Sequence, residues 1–129
     1  MSGYSIQLEE ATLSNNNFRQ VLYTAPHSQL VLMAIAPMDD IGAETHAEHD
    51  QFIRVEAGVG KAIIGGEEFA LSDGVAVVIP AGSHHNIINT SATEVMKLYT
   101  VYTPPEHKDG KVHATKADAL SDPDYSDHH

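Results

Sequence analysis

The sequence predicts an all-β protein, and three observations carry that reading. Apolar, β-branched runs recur at intervals of roughly ten residues along most of the chain. Turn signals separate them, at Asp39-Asp40-Ile41-Gly42, Gly58-Val59-Gly60, Gly65-Gly66 and Ser72-Asp73-Gly74. The centre of the chain has no run with the apolar period of an amphipathic helix.

The first residues, to about Asn17, are polar and weakly patterned, with Ser14-Asn15-Asn16-Asn17 marking a loop. Phe18 to Ala25 reads as a strand, and Pro26-His27-Ser28 turns the chain. Gln29 to Ala36 is too short for a typical helix and is followed by Pro37, so it reads as a buried strand. Gln51 to Ala57 alternates: Gln51, Ile53 and Val55 share one face, Phe52, Arg54 and Glu56 the other. A glutamine on the apolar face points inward. Lys61 to Ile64 and Glu67 to Leu71 flank Gly65-Gly66 and read as a hairpin. Val75 to Ile79, the turn Pro80-Ala81-Gly82 and the pair Ile87-Ile88 read as a second hairpin, with His85 at its mouth. Glu94 to Thr103 is the last long strand, halted by Pro104-Pro105. From Glu106 the composition shifts to His, Lys, Asp and Ala, which predicts a short helix around Thr115 to Leu120 in a segment outside the core or frayed.

Composition removes several function classes. The 129 residues, 42% of them hydrophobic, are enough for one domain with its own core. No apolar stretch approaches the roughly 20 residues that cross a bilayer, and the N-terminus lacks the pattern of a signal peptide. The expectation is a cytoplasmic protein with no membrane partner. Without cysteine there is no disulfide framework, and any metal must be held by nitrogen and oxygen. Eighteen acidic against seven basic residues give a net charge of −11, which repels phosphate backbones; no nucleic-acid partner is expected, and the charge serves solubility.

Two spacings stand out. Gly74-(five)-Pro80-x-Gly82-(two)-His85-(three)-Asn89 resembles, without a gap, the second signature of the cupin superfamily. Upstream, Glu44-x-His46-(four)-Gln51-(six)-Gly58 has the layout of the first, His-x-His-(three or four)-Glu-(six)-Gly. Glu44 stands where the first histidine is usual and Gln51 where the glutamate is usual. The resemblance runs from about Leu30 to Thr103 and narrows the expectation to a double-stranded β-helix, the jelly-roll barrel of small single-domain cupins. The implied layout is N-terminal strands or an arm at 1–28, the barrel at 29–103, and a short, partly helical or disordered C-terminal tail at 104–129.

The resemblance makes Glu44, His46, Gln51 and His85 the ligands of one divalent transition metal. Glu44 and His46 are two apart, so an extended strand presents both on one face. Two imidazoles with a carboxylate suit Mn, Fe, Ni or Zn alike. Exchanging a histidine for Glu44 and the glutamate for Gln51 keeps the charge of the set and moves its carboxylate to another side of the cavity. His49 competes with Glu44 for the fourth position; its offset from His46, in a turn, otherwise makes it exposed or a support for the ligands. Candidate catalytic groups are Tyr102, His49 and, should the tail fold over the mouth, His113. Strand alternation turns His84 away from His85. Ile53, Val55, Met96 and Leu98 are expected to wall the cavity, Tyr99 reads as core or rim, Asn89 as a turn or strand-end residue, and His128 and His129 as exposed or a tag remnant. The functional expectation is a metalloenzyme of isomerase, dioxygenase or lyase type acting on a small polar or oxygen-rich molecule. The alternative is a non-enzymatic cupin that binds a sugar-like molecule or is structural. No Ser-His-Asp layout, paired catalytic carboxylates or phosphate loop is present. Phe52, opposite the inward face, and the resemblance together predict a homodimer.

Overall fold

Alternating burial along short strands sets the layers of this molecule. The computed structural model describes residues 2–123, so His128 and His129 lie outside the described residues. In chain order come helix α1 (Leu8–Ser14), strands β1 (Arg19–Thr24), β2 (Gln29–Ile35), β3 (Glu44–Thr45), β4 (Asp50–Ala57), β5 (Gly60–Ile64), β6 (Glu67–Leu71), β7 (Ala76–Ile79), β8 (His84–Asn89), β9 (Met96–Thr103) and β10 (Val112–His113), and helix α2 (Lys116–Ser121). One sheet has six strands in the order β10-β1-β2-β9-β4-β7; the other has four, β3-β8-β5-β6. Every named pairing is antiparallel, as a jelly roll requires.

The core follows from the alternation. Gln51, Ile53 and Val55 of β4 are buried while Phe52 and Arg54 are not, and Met96, Leu98, Thr100 and Tyr102 of β9 face the same interior. Burying an Ile or Leu side chain of this kind contributes roughly 1.5–3 kcal/mol. Strand β2 is buried continuously from Val31 to Ile35, hence its unbroken apolar run in the sequence. Among the described residues no helix is long and apolar enough to cross a membrane.

Gly65 and Gly66 close the β5–β6 hairpin with φ of 57° and 83°, the pair of left-handed residues that a tight hairpin turn needs. The second expected hairpin is different. β7 pairs with β4, whereas β8 pairs with β5 and β3, so the Pro80–Gly82 turn carries the chain from one sheet to the other. Pro80 has no N–H to give a ladder. The next amides are used elsewhere: Ala81 N–H donates to the Asp50 carboxylate (2.9 Å) and Gly82 N–H to the His46 carbonyl (2.8 Å). The corner is thus tied to the segment that carries the other site residues.

Helix α1 was not expected. It has seven residues and no side-chain cap, too little local signal for sequence patterning, and is too short to stand without tertiary contacts. It packs against β9 and β4, with Thr12 buried. Asn89 is more than a strand end: fully buried, it donates to the carbonyls of Ile35, Ala36 and Glu94 and accepts from Ser91 N–H. Helix α2 forms where expected, with Thr115 and Asp118 in a reciprocal capping box. Lys116 then ion-pairs with Asp39 (3.1 Å) and with Asp40, tying α2 to the loop after β2.

Two outcomes follow from these anchors. Asn89→Ala leaves buried carbonyls without donors and should cost about 2–3 kcal/mol, read as a lower urea midpoint at unchanged slope. Burial works to raise the Asp40 pKa, but the hydrogen bonds from Lys116 and Asn86 lower it on balance. Burial likewise disfavours charged Lys116, and Asp40 and Asp39 raise its pKa on balance. The Asp40 contribution is therefore present above pH 3.8 and lost as pH falls through the lower folded value. The Lys116 contribution is lost as pH rises through its raised value, above 10.5. Lys116→Met should be less stable than the parent at neutral pH and converge with it as pH falls below the lowered Asp40 value; a deficit that does not shrink with falling pH would show that the ion pair is not the source.

Candidate metal centre

Glu44 and His85 come from the four-stranded sheet, where they are directly paired across β3 and β8, and Gln51 and Tyr102 from the six-stranded sheet, paired across β4 and β9. His46 follows β3. With Ile41, Gly42 and Ile87 these five line one enclosed cavity of about 10 Å³, room for a single water or ion. Glu44, His46, Gln51 and His85 are each over nine-tenths buried. The apolar border of the cavity is Ile41 and Ile87; Ile53, Val55, Met96 and Leu98, expected as its wall, fill the core instead.

Each polar group has a local reason for its orientation. His85 Nδ1–H donates to the Ser83 carbonyl (2.9 Å), which can only accept, so Nε2 carries the free lone pair. Gln51 Nε2 donates to Thr100 Oγ1 (3.0 Å), and Gln51 Oε1 is buried with no hydrogen-bond partner. His46 Nε2 lies 2.9 Å from Glu44 Oε2, and its Nδ1 lies 3.2 Å from Glu106 Oε2. Burial opposes the His46 imidazolium, yet the hydrogen bond to Glu44 and the charges of Glu106 and Glu44 outweigh it and raise its pKa. Burial lowers the His85 pKa, helped by the charge of His46 and against the pull of the Ser83 carbonyl. Among the described residues no three His, Asp or Glu side chains stand ready as a metal cage; Glu44 and His46 are closed on one another.

The other candidates divide. Tyr102 lines the cavity and sets its ring edge-on to His46, centroids 6.2 Å apart. His49 does not line it; Nδ1–H donates to the Pro104 carbonyl (2.7 Å), and Nε2 is 3.1 Å from Glu106 Oε2. His113 is buried elsewhere: Arg19 Nη1 donates to its Nδ1 (3.4 Å), so Nε2–H faces the Asp122 carboxylate at 2.7 Å. His84 is exposed and bonded to Thr45. Tyr99 is half-buried, its ring 6.3 Å from Phe52. Sequence reasoning missed two contributors. Thr100 was legible as an inward position of an alternating strand. Glu106 was not, because it follows Pro104-Pro105 in a segment without period.

Comparison with known proteins agrees with this architecture. The Cupin domain family matches residues 31–102, which include both signature spacings. Uncharacterized protein L612 of Acanthamoeba polyphaga mimivirus is 44% identical over 112 residues, 84% of this chain and 70% of that protein. Uncharacterized protein YrkC of Bacillus subtilis is 43% identical over 124 residues, 92% of this chain and 66% of that protein. The crystal structure of BH2720 from Bacillus halodurans superposes with a TM-score of 0.91 at 39% identity, covering 94% of this chain and 96% of that one. With both signatures inside the family match and two antiparallel sheets enclosing the residues they carry, this chain belongs to the cupin family.

Proposed function

We propose that the protein holds one divalent transition metal through Glu44, His46, Gln51 and His85 and acts on a small polar or oxygen-rich molecule, as an isomerase, dioxygenase or lyase. The observation that carries this reading is Gln51 Oε1, a buried acceptor with no hydrogen-bond partner on a residue that lines one cavity with two imidazoles and a carboxylate. Such an atom costs about 1–3 kcal/mol unless something electropositive meets it. Nitrogen and oxygen donors of this kind suit Mn, Fe, Ni or Zn. A bound ion supplies Lewis acidity toward a carbonyl or hydroxyl and, for a redox metal, oxygen chemistry. Ser83 and Thr100 orient His85 and Gln51, Ile41 and Ile87 exclude water, and Tyr102 is the one hydroxyl among the lining residues. With about 10 Å³ available, a substrate reaches the centre only by displacing lining side chains.

The second reading, a non-enzymatic binding or structural cupin, is favoured by the 2.9 Å contact of His46 with Glu44, which satisfies both groups without an ion. Elemental analysis of untagged protein decides. About one equivalent of metal is expected, lost in the His46→Ala, His85→Ala double variant; full occupancy in that variant overturns the ligand assignment. Glu44→Gln weakens binding if Glu44 is the fourth ligand, and normal binding there with failure in His49→Ala transfers that place to His49. An oxygen electrode with sugars, 2-oxo acids and diketones then separates a dioxygenase from isomerase or lyase turnover. Tight ligand binding without turnover under any metal supports the second reading.

We also propose a homodimer through the outer face of the six-stranded sheet. Leu30, Val101, Phe52 and Val78 stand in register across β2, β9, β4 and β7, and Val78 is 64% exposed. An apolar row on an outward face points to a second copy. Light scattering should give twice the 13.9 kDa chain mass, and Phe52→Glu with Val78→Glu should halve it. A monomer mass for the parent at micromolar concentration overturns the proposal.

A further inference from the structure

Two stretches outside the long strands help to close the cavity, and they are held in different ways. One is the loop of Ile41 and Gly42, tied to the four-stranded sheet by main-chain hydrogen bonds from Ile41 N–H to the Ile87 carbonyl (2.9 Å) and from Asn89 N–H to the Asp39 carbonyl (2.9 Å). The other is the segment 104–107, which backs two of the lining side chains. His46 presents Nε2 to Glu44, while its other ring nitrogen lies 3.2 Å from a Glu106 carboxylate oxygen. The Tyr102 ring meets the His107 ring edge-on, centroids 5.2 Å apart. We propose that segment 104–107 is a strap over the cavity, with Gln29 as its latch: it lifts while the barrel stays folded, and a small molecule enters behind His46 and Tyr102. This role rests on that cavity being the binding site and needs no metal in it.

Three features carry it. Pro104 and Pro105 have no N–H to give, so the ladder of β9 ends at Thr103 and the chain leaves the sheet. The main chain beyond is gripped by side chains. Buried Gln29 accepts from the N–H groups of Glu106 (3.1 Å) and His107 (2.9 Å), donates to the His107 carbonyl (2.7 Å), and is steadied by Thr24 Oγ1 (2.9 Å). His49 Nδ1–H donates to the Pro104 carbonyl (2.7 Å). These bonds can break without unzipping a strand, whereas the loop at Ile41 opens only by giving up main-chain bonds to β8. Finally, the closed cavity of about 10 Å³ holds one water or ion, so a larger molecule needs a wall that moves.

Thiol labelling tests this, because the chain has no cysteine and an introduced one is a unique reporter. Ile87→Cys places it on the cavity wall, and Val55→Cys places it in the core away from the cavity. With methyl methanethiosulfonate in native buffer, the thiol from Ile87→Cys should react faster than that from Val55→Cys. Adding Gln29→Leu should raise the ratio of the two rates about 10-fold or more. Thr24→Val, which removes only the support of Gln29, should raise it less and carries the test if Gln29→Leu does not fold. In the parent, the Glu106 and His107 amides should exchange hydrogen faster than those of β9, at a rate insensitive to low urea. Labelling requires neither metal nor turnover, so a parent that takes up no metal still shows these effects if the strap lifts. An unchanged ratio in the latch variants, equal acceleration of both thiols, or exchange of residues 106 and 107 only with global unfolding overturns the proposal.

Discussion

Polar side chains placed on the inward face of a sheet lose water and must find partners within the protein, and this structure depends on how that demand is met. Glu44, Gln51 and His85 occupy inward strand positions that alternation makes apolar elsewhere, and His46 is buried just after β3. Ser83 orients His85, Thr100 orients Gln51, and Glu44 pairs with His46. One acceptor, Gln51 Oε1, is left over, and it lies at the wall of the cavity.

The same demand explains why residues far apart in sequence belong to one unit. Gln29 at the start of β2 is buried, and the strand that it pairs with, β9, ends at Thr103. Its carboxamide takes the backbone of residues 106 and 107 as a further strand would, which turns the chain back toward His46. Arg19 and His113, both buried, repeat the device nearer the end, where β10 joins the edge of the six-stranded sheet beside β1. The tail as far as α2 is therefore tied to the barrel by side chains that lie in strands.

The corner at Pro80–Gly82 has a comparable role. A hairpin would have kept β7 and β8 in one sheet and pointed His85 at its own neighbours. Crossing between sheets instead puts His85 opposite Glu44 while Gln51 approaches from the other layer, and the corner is held by His46 and Asp50, the latter next to Gln51. Site and corner brace each other, so the signature spacing describes a three-dimensional closure as much as a local turn.

Much of this was legible in the sequence for a definite reason. Burial alternation has a period of two, so β4 and β9 announce their inward residues, and the β5–β6 hairpin follows from a Gly-Gly pair whose conformation few other residues adopt. The two signature spacings marked four residues that the fold brings to one cavity. What the sequence left open was partnership. Whether β8 follows β7 in one sheet, whether seven residues near the N-terminus are helical, and whether Glu106 reaches His46 depend on contacts with segments distant along the chain. Local pattern records which way a side chain must face; only the closed barrel decides what it meets there, because hydrogen-bond and ion-pair partners are selected by distance in space.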